Sequence, residues 1–264
     1  MTDLMNTTTP QTLSAETIDR YRQQGFVHIP GVLSQNEIAE FLADAQDQLH
    51  RHEKISWDEE GNGNVMDWVA EPEAKSAAMR RLALHPTITG IAEKLAGRQL
   101  RLFKSELLRK RSTGGTKTPL HIDAPAFPIG GDAVTLTAWV ALVDVPVERG
   151  CMTFVPGSQD WPHGMELSFD PFESRPELKW WPRVTVPLRA GDCTFHDARL
   201  IHMAGANETD TARISLATVY MDAAATYHPD PSQPYQDEVS GVEPGRPFAT
   251  DRYPRVGEIT GPQR

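Results

Sequence analysis

The sequence predicts a mainly β protein with flanking helices, built as a sandwich or jelly roll. Short apolar or alternating runs follow one another from about residue 99, and Gly, Pro and Asp separate them. Before that point, apolar residues recur at helical spacing. Many short strands behind a helical segment favour packed β layers with helices outside. The strand-like runs lie at 100–102, 107, 134–147, 151–155, 184–188, 193–195 and 214–220.

Two helices and a strand are expected near the N-terminus. Ser14 is a typical helix start and Gly25 a typical stop, and residues 26–30 then alternate like a short strand. Ser34 and Glu37 have the spacing of a capping box, so a second helix should begin there. Its buried face should carry five apolar residues: Ile38, Phe41, Leu42, Ala45 and Leu49.

The segment between Trp57 and Trp68 shows no periodicity and has the composition of a mobile loop. From about residue 71 to 97 helical spacing returns, which predicts a further helical stretch with one buried face. The predicted buried positions of that stretch are Met79, Leu82, Ile88, Ile91 and Leu95.

Length and charge favour one domain over residues 1–264 that acts on a small molecule. The helical third should pack on a β core from about 99 to 221, with 222–264 as an ordered flap or a loose tail. The net charge of −10 argues against nucleic acid, because domains that bind it carry clustered Lys and Arg. No apolar run reaches the roughly 18 residues that span a membrane, and no signal peptide is recognisable. We therefore expect a cytoplasmic protein; its oligomeric state is not indicated.

The triplet His121-Ile122-Asp123 is a candidate metal site, because side chains two residues apart on a strand point to the same side. By itself this is a weak motif. A second such triplet, at 228–230, lies among prolines, where a rigid strand pair is not expected. Spacing alone does not choose between three candidates for a further ligand: His163, His196 and His202.

Two histidines and one carboxylate would leave positions open on a bound metal. That arrangement suits Fe(II), which must bind a co-substrate and oxygen together. Structural zinc sites instead favour four ligands rich in Cys. The two cysteines, Cys151 and Cys193, are isolated in strand-like runs, so we expect both to be small core residues.

Five segments together resemble the phytanoyl-CoA dioxygenase family of Fe(II)/2-oxoglutarate oxygenases. The resemblance extends over about residues 18 to 221, and the ordered set is more specific than any one motif. It implies a double-stranded β-helix core, a cupin-like jelly roll. The segments are 21–33, 118–123, 136–142, 150–158 and 191–213.

Carried over residue by residue, the resemblance implies that His121, Asp123 and His202 bind the iron. It also implies that Arg213 holds the distal carboxylate of 2-oxoglutarate. A guanidinium can grip a carboxylate through two parallel charge-assisted hydrogen bonds, and Lys does not provide that fork.

Other positions match the family more loosely. Trp139 corresponds to a tryptophan near the co-substrate, and Thr137 lies on the same strand face and offers a hydroxyl. His196 matches a histidine that is not a ligand, so we expect it to support the site. Many members carry a hydroxyl residue two positions after the distal histidine. Ala204 occupies that position here, which removes one hydrogen bond to the co-substrate.

The resemblance implies an Fe(II)/2-oxoglutarate-dependent dioxygenase that uses O2 and removes a hydrogen from its substrate. Hydroxylation, epimerisation or ring closure then follows. Asp123 favours oxygenase chemistry, because related halogenases replace this carboxylate by a small residue. The phosphates of an acyl-CoA substrate would need basic residues, and the net negative charge of the chain gives little support for one. We therefore expect the substrate to be a small or polycyclic natural product, and the protein to act in antibiotic biosynthesis. The alternative is a metal-dependent cupin-like isomerase, or a binding module, that does not use 2-oxoglutarate.

Overall fold

The computed structural model describes residues 13–61, 63–112, 114–130, 133–161, 176–232, 239 and 241–258. Within these residues two antiparallel sheets pack against each other, and helices cover the outer face of the larger one. This confirms the predicted fold class. The predicted ligand candidate His163 lies outside the described residues.

The N-terminal elements begin and end where the sequence predicts. Helix α1 (Ala15–Gln24) is capped by the Ser14 side chain, and Gly25 ends it in the left-handed conformation at φ +77°. Strand β1 (Phe26–Ile29) follows. Helix α2 (Gln35–Arg51) opens with the complete Ser34–Glu37 capping box. Of its five predicted apolar residues, Leu42 is partly buried. The other four are buried: Ile38, Phe41, Ala45 and Leu49.

Three helices fill the stretch predicted as helical after residue 71. They are α3 (Pro72–Lys75), α4 (Ala77–Ala83) and α5 (Pro86–Ala96). All five predicted stripe residues, from Met79 to Leu95, are buried in the core between these helices and the larger sheet.

The prediction of a loop between Trp57 and Trp68 was wrong. Strands β2 (Ile55–Glu59) and β3 (Gly63–Ala70) form an antiparallel hairpin there. The acidic and Gly-rich residues that suggested a loop belong to the tip and exposed edge of this hairpin. Its other end is fixed by the buried carboxylate of Asp67, which accepts hydrogen bonds from Arg109 and Arg111 of the neighbouring chain segment.

The larger sheet has the strand order β1-β9-β6-β11-β4-β3-β2, and the smaller one β5-β10-β7-β8. Side chains alternate across the larger sheet: Leu216 faces the helices, whereas Ala217 faces the smaller sheet. The remaining strands are β4 (Leu100–Lys110), β5 (Thr118–His121), β6 (Thr135–Ala141), β7 (Met152–Phe154), β8 (Val184–Val186), β9 (Cys193–Asp197), β10 (His202–Ala204) and β11 (Arg213–Asp222).

The described part of the chain after residue 222 is an ordered segment that packs on the β core. Phe248 and Tyr253 are buried and lie with their ring centroids 5.8 and 5.9 Å from that of Phe103. The ring of Phe127 lies 5.6 Å from the same residue. An aromatic cluster therefore joins this segment to the chain that follows β5.

Two further expectations concern burial and membranes. Cys151 and Cys193 are both buried and free, as predicted for core residues. Among the described residues, no helix combines the length and the apolar character that crossing a membrane requires.

Candidate active site

The smaller sheet brings two of the predicted ligands side by side. His121 ends β5 and His202 begins β10, and the two are directly opposed across the strand pair, with ring centroids 4.1 Å apart. Asp123 follows in a turn whose backbone N–H groups at positions 123 and 124 donate to the carbonyl of Ala198. The nearest ligand atoms of His121, Asp123 and His202 all lie within 4.8 Å of one another.

Each histidine of this group is held in one tautomer. His121 Nδ1 lies 2.8 Å from the carbonyl of Pro119, and His202 Nδ1 lies 2.9 Å from that of Leu200, so both Nδ1–H groups donate to backbone. Their Nε2 atoms lie 3.5 and 3.6 Å from Asp123 Oδ1. Two imidazole Nε2 atoms and one carboxylate oxygen therefore converge, and these atom types are the donor set of a facial metal site.

The charge states of Asp123 and His202 also suit metal binding. Burial alone would raise the pKa of Asp123, but the neighbouring His202 and His121 rings hold it well below its usual range. Burial, together with the His121 ring, lowers the pKa of His202 to about 3. The carboxylate is therefore ionised and the His202 ring neutral at physiological pH, the forms that bind a metal.

The second carboxylate oxygen of Asp123, Oδ2, is contacted by two residues of the larger sheet. Thr137 Oγ1 donates to Oδ2 at 3.1 Å, and His196 Nε2 lies 3.4 Å from the same oxygen. Thr137 and His196 are opposed residues of β6 and β9. The Thr137 hydroxyl, predicted near the co-substrate, is thus placed on the carboxylate, and His196 lies beside the group of three rather than within it. His228, of the second triplet, bonds instead to Thr226.

Arg213 opens β11 and is almost fully buried. One of its terminal nitrogens donates to the carbonyl of Gly150, and its guanidinium carbon lies 5.2 Å from the centre of the Trp139 ring. Its Nε–H has no hydrogen-bond partner among the described residues. Burial lowers the pKa of Arg213 to about 10, so it stays charged at neutral pH. A buried cation with an unused donor calls for an anionic ligand.

Lys110 is a second buried cation that sequence reasoning missed. It is the residue opposed to Arg213 across β4 and β11, and its ammonium donates to the Thr116 carbonyl and the Thr118 hydroxyl. Burial and the nearby Arg213 lower the pKa of Lys110 to about 7. Two like charges directly opposed in a sheet are destabilising unless an anion lies between them.

Ser215 adds a third donor to this end of the site. It lies two residues after Arg213 and therefore on the same strand face, and its buried hydroxyl has no partner among the described residues. Arg213, Lys110 and Ser215 together fit the distal carboxylate of a small dicarboxylic acid. Ser215 could have been found from sequence, because a residue two positions after Arg213 on a strand shares its face.

Comparison with known proteins shows the family of this chain. The family model "Phytanoyl-CoA dioxygenase (PhyH)" matches residues 21–215, most of the chain. The chain belongs to the phytanoyl-CoA dioxygenase family. The peroxisomal phytanoyl-CoA dioxygenase of Rattus norvegicus is 24% identical over 247 residues, which cover 81% of this chain and 70% of the rat protein.

Two solved structures are more similar to this chain. The α-ketoglutarate-dependent epimerase SnoN from nogalamycin biosynthesis, also solved with Fe3+, α-ketoglutarate and nogalamycin RO, is 49% identical with a TM-score of 0.84. The match covers 91% of this chain and 97% of SnoN. The carbocyclase SnoK is 40% identical with a TM-score of 0.86 and covers 94% and 98%.

As a member of the phytanoyl-CoA dioxygenase family, the chain is an Fe(II)- and 2-oxoglutarate-dependent dioxygenase that uses O2. The jelly-roll fold, the family and this cofactor set were predicted and are confirmed. The residues present suit both groups, because the ionised carboxylate of Asp123 lies beside the Nε2 atoms of His121 and His202, and the buried donors Arg213 Nε and Ser215 Oγ have no partner among the described residues.

Proposed function

We propose that His121, Asp123 and His202 bind the iron, and that Arg213, with Lys110 and Ser215, binds the distal carboxylate of 2-oxoglutarate. The convergence of the two Nε2 atoms on Asp123 Oδ1 carries the first part of this proposal. When bound, iron with 2-oxoglutarate and O2 supplies an oxidant able to remove hydrogen from an unactivated carbon.

The protein's own residues position the reacting groups and exclude water. Thr137 fixes the rear oxygen of Asp123, so that the other oxygen faces the two imidazoles. Trp139 covers one face of the Arg213 guanidinium, which keeps water from competing for its donors. Both side chains thereby act through groups that contact the metal or the co-substrate.

The proposed substrate is a polycyclic natural product of antibiotic biosynthesis, and epimerisation at a carbon is the reaction proposed first. The support is 49% identity, over nearly the whole chain, to an enzyme described as the epimerase SnoN. Ring closure is the second candidate, because the described carbocyclase SnoK is 40% identical over a similar length.

One experiment separates these outcomes. The protein is incubated with Fe(II), 2-oxoglutarate, O2 and nogalamycin RO, and the products are analysed by mass spectrometry and chromatography. Epimerisation leaves the mass unchanged and shifts the retention time, ring closure removes two hydrogens, and hydroxylation adds one oxygen. Product formed equally well without 2-oxoglutarate would contradict the proposed reaction, and an unaltered compound would contradict this substrate class.

Two broader inferences accompany this proposal. We infer that the chain folds as one domain, because the segment after residue 222 packs on the same core as β4 and β11. We also infer a cytoplasmic location. Both cysteines are free and buried, as in proteins of a reducing compartment, which supports this inference.

Lys110 makes 2-oxoglutarate binding sensitive to pH. The pKa of Lys110 is about 7 in the absence of the ligand, and an added carboxylate favours the charged form and raises it. Binding should therefore take up a proton, and 2-oxoglutarate affinity should fall as pH rises from 7 to 9. Anaerobic calorimetry at pH 8 in two buffers of different ionisation heat measures this uptake. Equal heats in the two buffers, or the same uptake in Lys110→Met, would show that Lys110 is not the group involved.

A further inference from the structure

Two buried cations of the larger sheet have no negatively charged partner in the described part of the chain. Arg213 is 1% exposed and Lys110 is 0% exposed. Besides burial, the pKa of Lys110 responds to Arg213 and that of Arg213 responds to the Cys151 thiol, so no described carboxylate is close enough to act on either cation. Burial raises the pKa of Cys151, so this thiol is neutral and offsets no charge. An uncompensated buried charge is strongly destabilising, so the two cations call for a negatively charged ligand.

The strand register places the two cations side by side. Arg213 of β11 and Lys110 of β4 are directly opposed, which sets their Cβ atoms about 4.5–5.5 Å apart. Both side chains extend towards the smaller sheet. Lys110 Nζ donates to the Thr118 hydroxyl of β5 at 3.1 Å, and Arg213 donates to the carbonyl of Gly150, just before β7. The two charges therefore share the interior between the sheets, where charges interact more strongly than in water.

Several hydrogen-bond donors at this place are unused. The Nε–H of Arg213 and the hydroxyl of Ser215 are buried and have no partner among the described residues. Arg213 Nη2 lies 4.0 Å from the Met66 sulfur, which is a weak acceptor. The Lys110 ammonium has three N–H groups, and two of them donate to oxygens of the chain. Donors from three different side chains are thus available to an oxyanion.

Charge decides which oxyanion fits these donors best. The distal carboxylate of 2-oxoglutarate carries one negative charge, so with both cations charged it leaves one positive charge uncompensated. A tetrahedral dianion such as hydrogen phosphate or sulfate offsets both charges, and its oxygens can accept from donors in several directions. Arg and Lys are both common phosphate ligands, Arg through its planar fork and Lys as a point charge. Phosphate has fewer atoms than 2-oxoglutarate, so the space proposed for the co-substrate is large enough for it.

We propose that Arg213, Lys110 and Ser215 bind inorganic phosphate, and that phosphate competes there with 2-oxoglutarate. This inference rests on the function proposed above, because it places the anion where the distal carboxylate of the co-substrate would lie. Phosphate lacks the 2-oxo acid group that would reach the metal. A molecule with phosphate at this place therefore lacks its co-substrate, and the activity responds to the ratio of phosphate to 2-oxoglutarate.

Anion binding is measured first on the metal-free protein, because phosphate also binds iron. Sodium phosphate, sulfate and acetate are titrated by calorimetry near neutral pH, with a chelator present and ionic strength held constant. The wild type should bind both dianions at least about tenfold more tightly than acetate, as expected for an added charged hydrogen bond. Lys110→Met should remove this preference, and Ser215→Ala should weaken phosphate binding about threefold. The control is Lys94→Met, at the exposed end of α5, which should change nothing.

Competition is measured next on anaerobic protein loaded with Fe(II), with sulfate as the dianion. The 2-oxoglutarate titration is followed by the iron–2-oxoglutarate absorption band, with sulfate or with chloride at equal ionic strength. Sulfate should raise the apparent Kd for 2-oxoglutarate in the wild type and in Lys94→Met, but not in Lys110→Met. Circular dichroism checks that each variant is folded.

The other outcomes would overturn the phosphate site. Equal affinity for acetate and the dianions, or binding that both Lys110→Met and Ser215→Ala leave unchanged, would show an adventitious ion only. Sulfate that does not compete with 2-oxoglutarate would also contradict the proposal. If the band forms while the dianions fail these tests, the phosphate site is wrong and the proposed function stands. If the wild type shows no band, the proposed function itself fails, and the competition fails with it.

Discussion

Asp123→Ala is expected to abolish the visible absorption band that appears when Fe(II) and 2-oxoglutarate are added to the anaerobic wild-type protein. The variant lacks the only charged ligand of the proposed iron site and leaves Thr137 and His196 facing a gap. Partners outside the ligand shell are already worth roughly 10–100-fold in metal affinity, so a ligand should be worth at least about 100-fold.

The second His-x-Asp triplet provides the matched control. Asp230 also follows a histidine at two residues, but its carboxylate accepts hydrogen bonds from Ser232 and is exposed. Asp230→Ala should therefore leave the band and the iron affinity unchanged. An undiminished band in Asp123→Ala, with circular dichroism showing a folded protein, would remove Asp123 from the metal site.

Arg213→Leu is expected to weaken 2-oxoglutarate binding by at least about 100-fold while iron affinity changes little. Each hydrogen bond to a charged group is worth about 1.5–3 kcal/mol, and a bidentate grip would lose two of them. Leu fills part of the buried volume without a donor, so Lys110 and Ser215 alone would hold the distal carboxylate. Anaerobic titrations of iron and of 2-oxoglutarate measure the two affinities separately.

Two variants make this result interpretable. Arg213→Lys keeps the charge but not the planar fork, so its affinity should fall between those of the wild type and Arg213→Leu. Arg81→Leu, at an exposed helical position, controls for the loss of an arginine elsewhere. Equal losses of iron and 2-oxoglutarate affinity in Arg213→Leu would indicate damage to the fold and would contradict the anchor.

Local chemistry made much of the fold predictable. Ser14, Gly25 and the Ser34–Glu37 box each set a helix boundary through contacts within a few residues, and the structure places the boundaries there. The β2–β3 hairpin was missed because its stability comes from β4 rather than from its own sequence. Arg109 and Arg111, some forty residues away, hold the buried Asp67.

The site shows the same difference between features set by nearby residues and features set by distant ones. The spacing of His121 and Asp123 could be found from sequence, but the strand alternation predicted for the two residues was wrong. Strand β5 ends at His121, and Asp123 lies in a turn whose backbone donates to the carbonyl of Ala198. Lys110 could not be found from sequence, since a lysine at the end of a strand usually faces solvent, and only the β4–β11 register opposes it to Arg213. The placement of Thr137 against Asp123 likewise depends on how the two sheets pack.

The aromatic cluster of Phe103, Phe127, Phe248 and Tyr253 has a consequence for the order of events in the cell. Phe127 belongs to the turn that carries Asp123, and its packing includes rings contributed by residues 248 and 253. Chains emerge from the ribosome N-terminus first. The Asp123 turn therefore reaches its final packing only after residue 253 has been made, so maturation of the iron site should follow synthesis of the β core rather than accompany it.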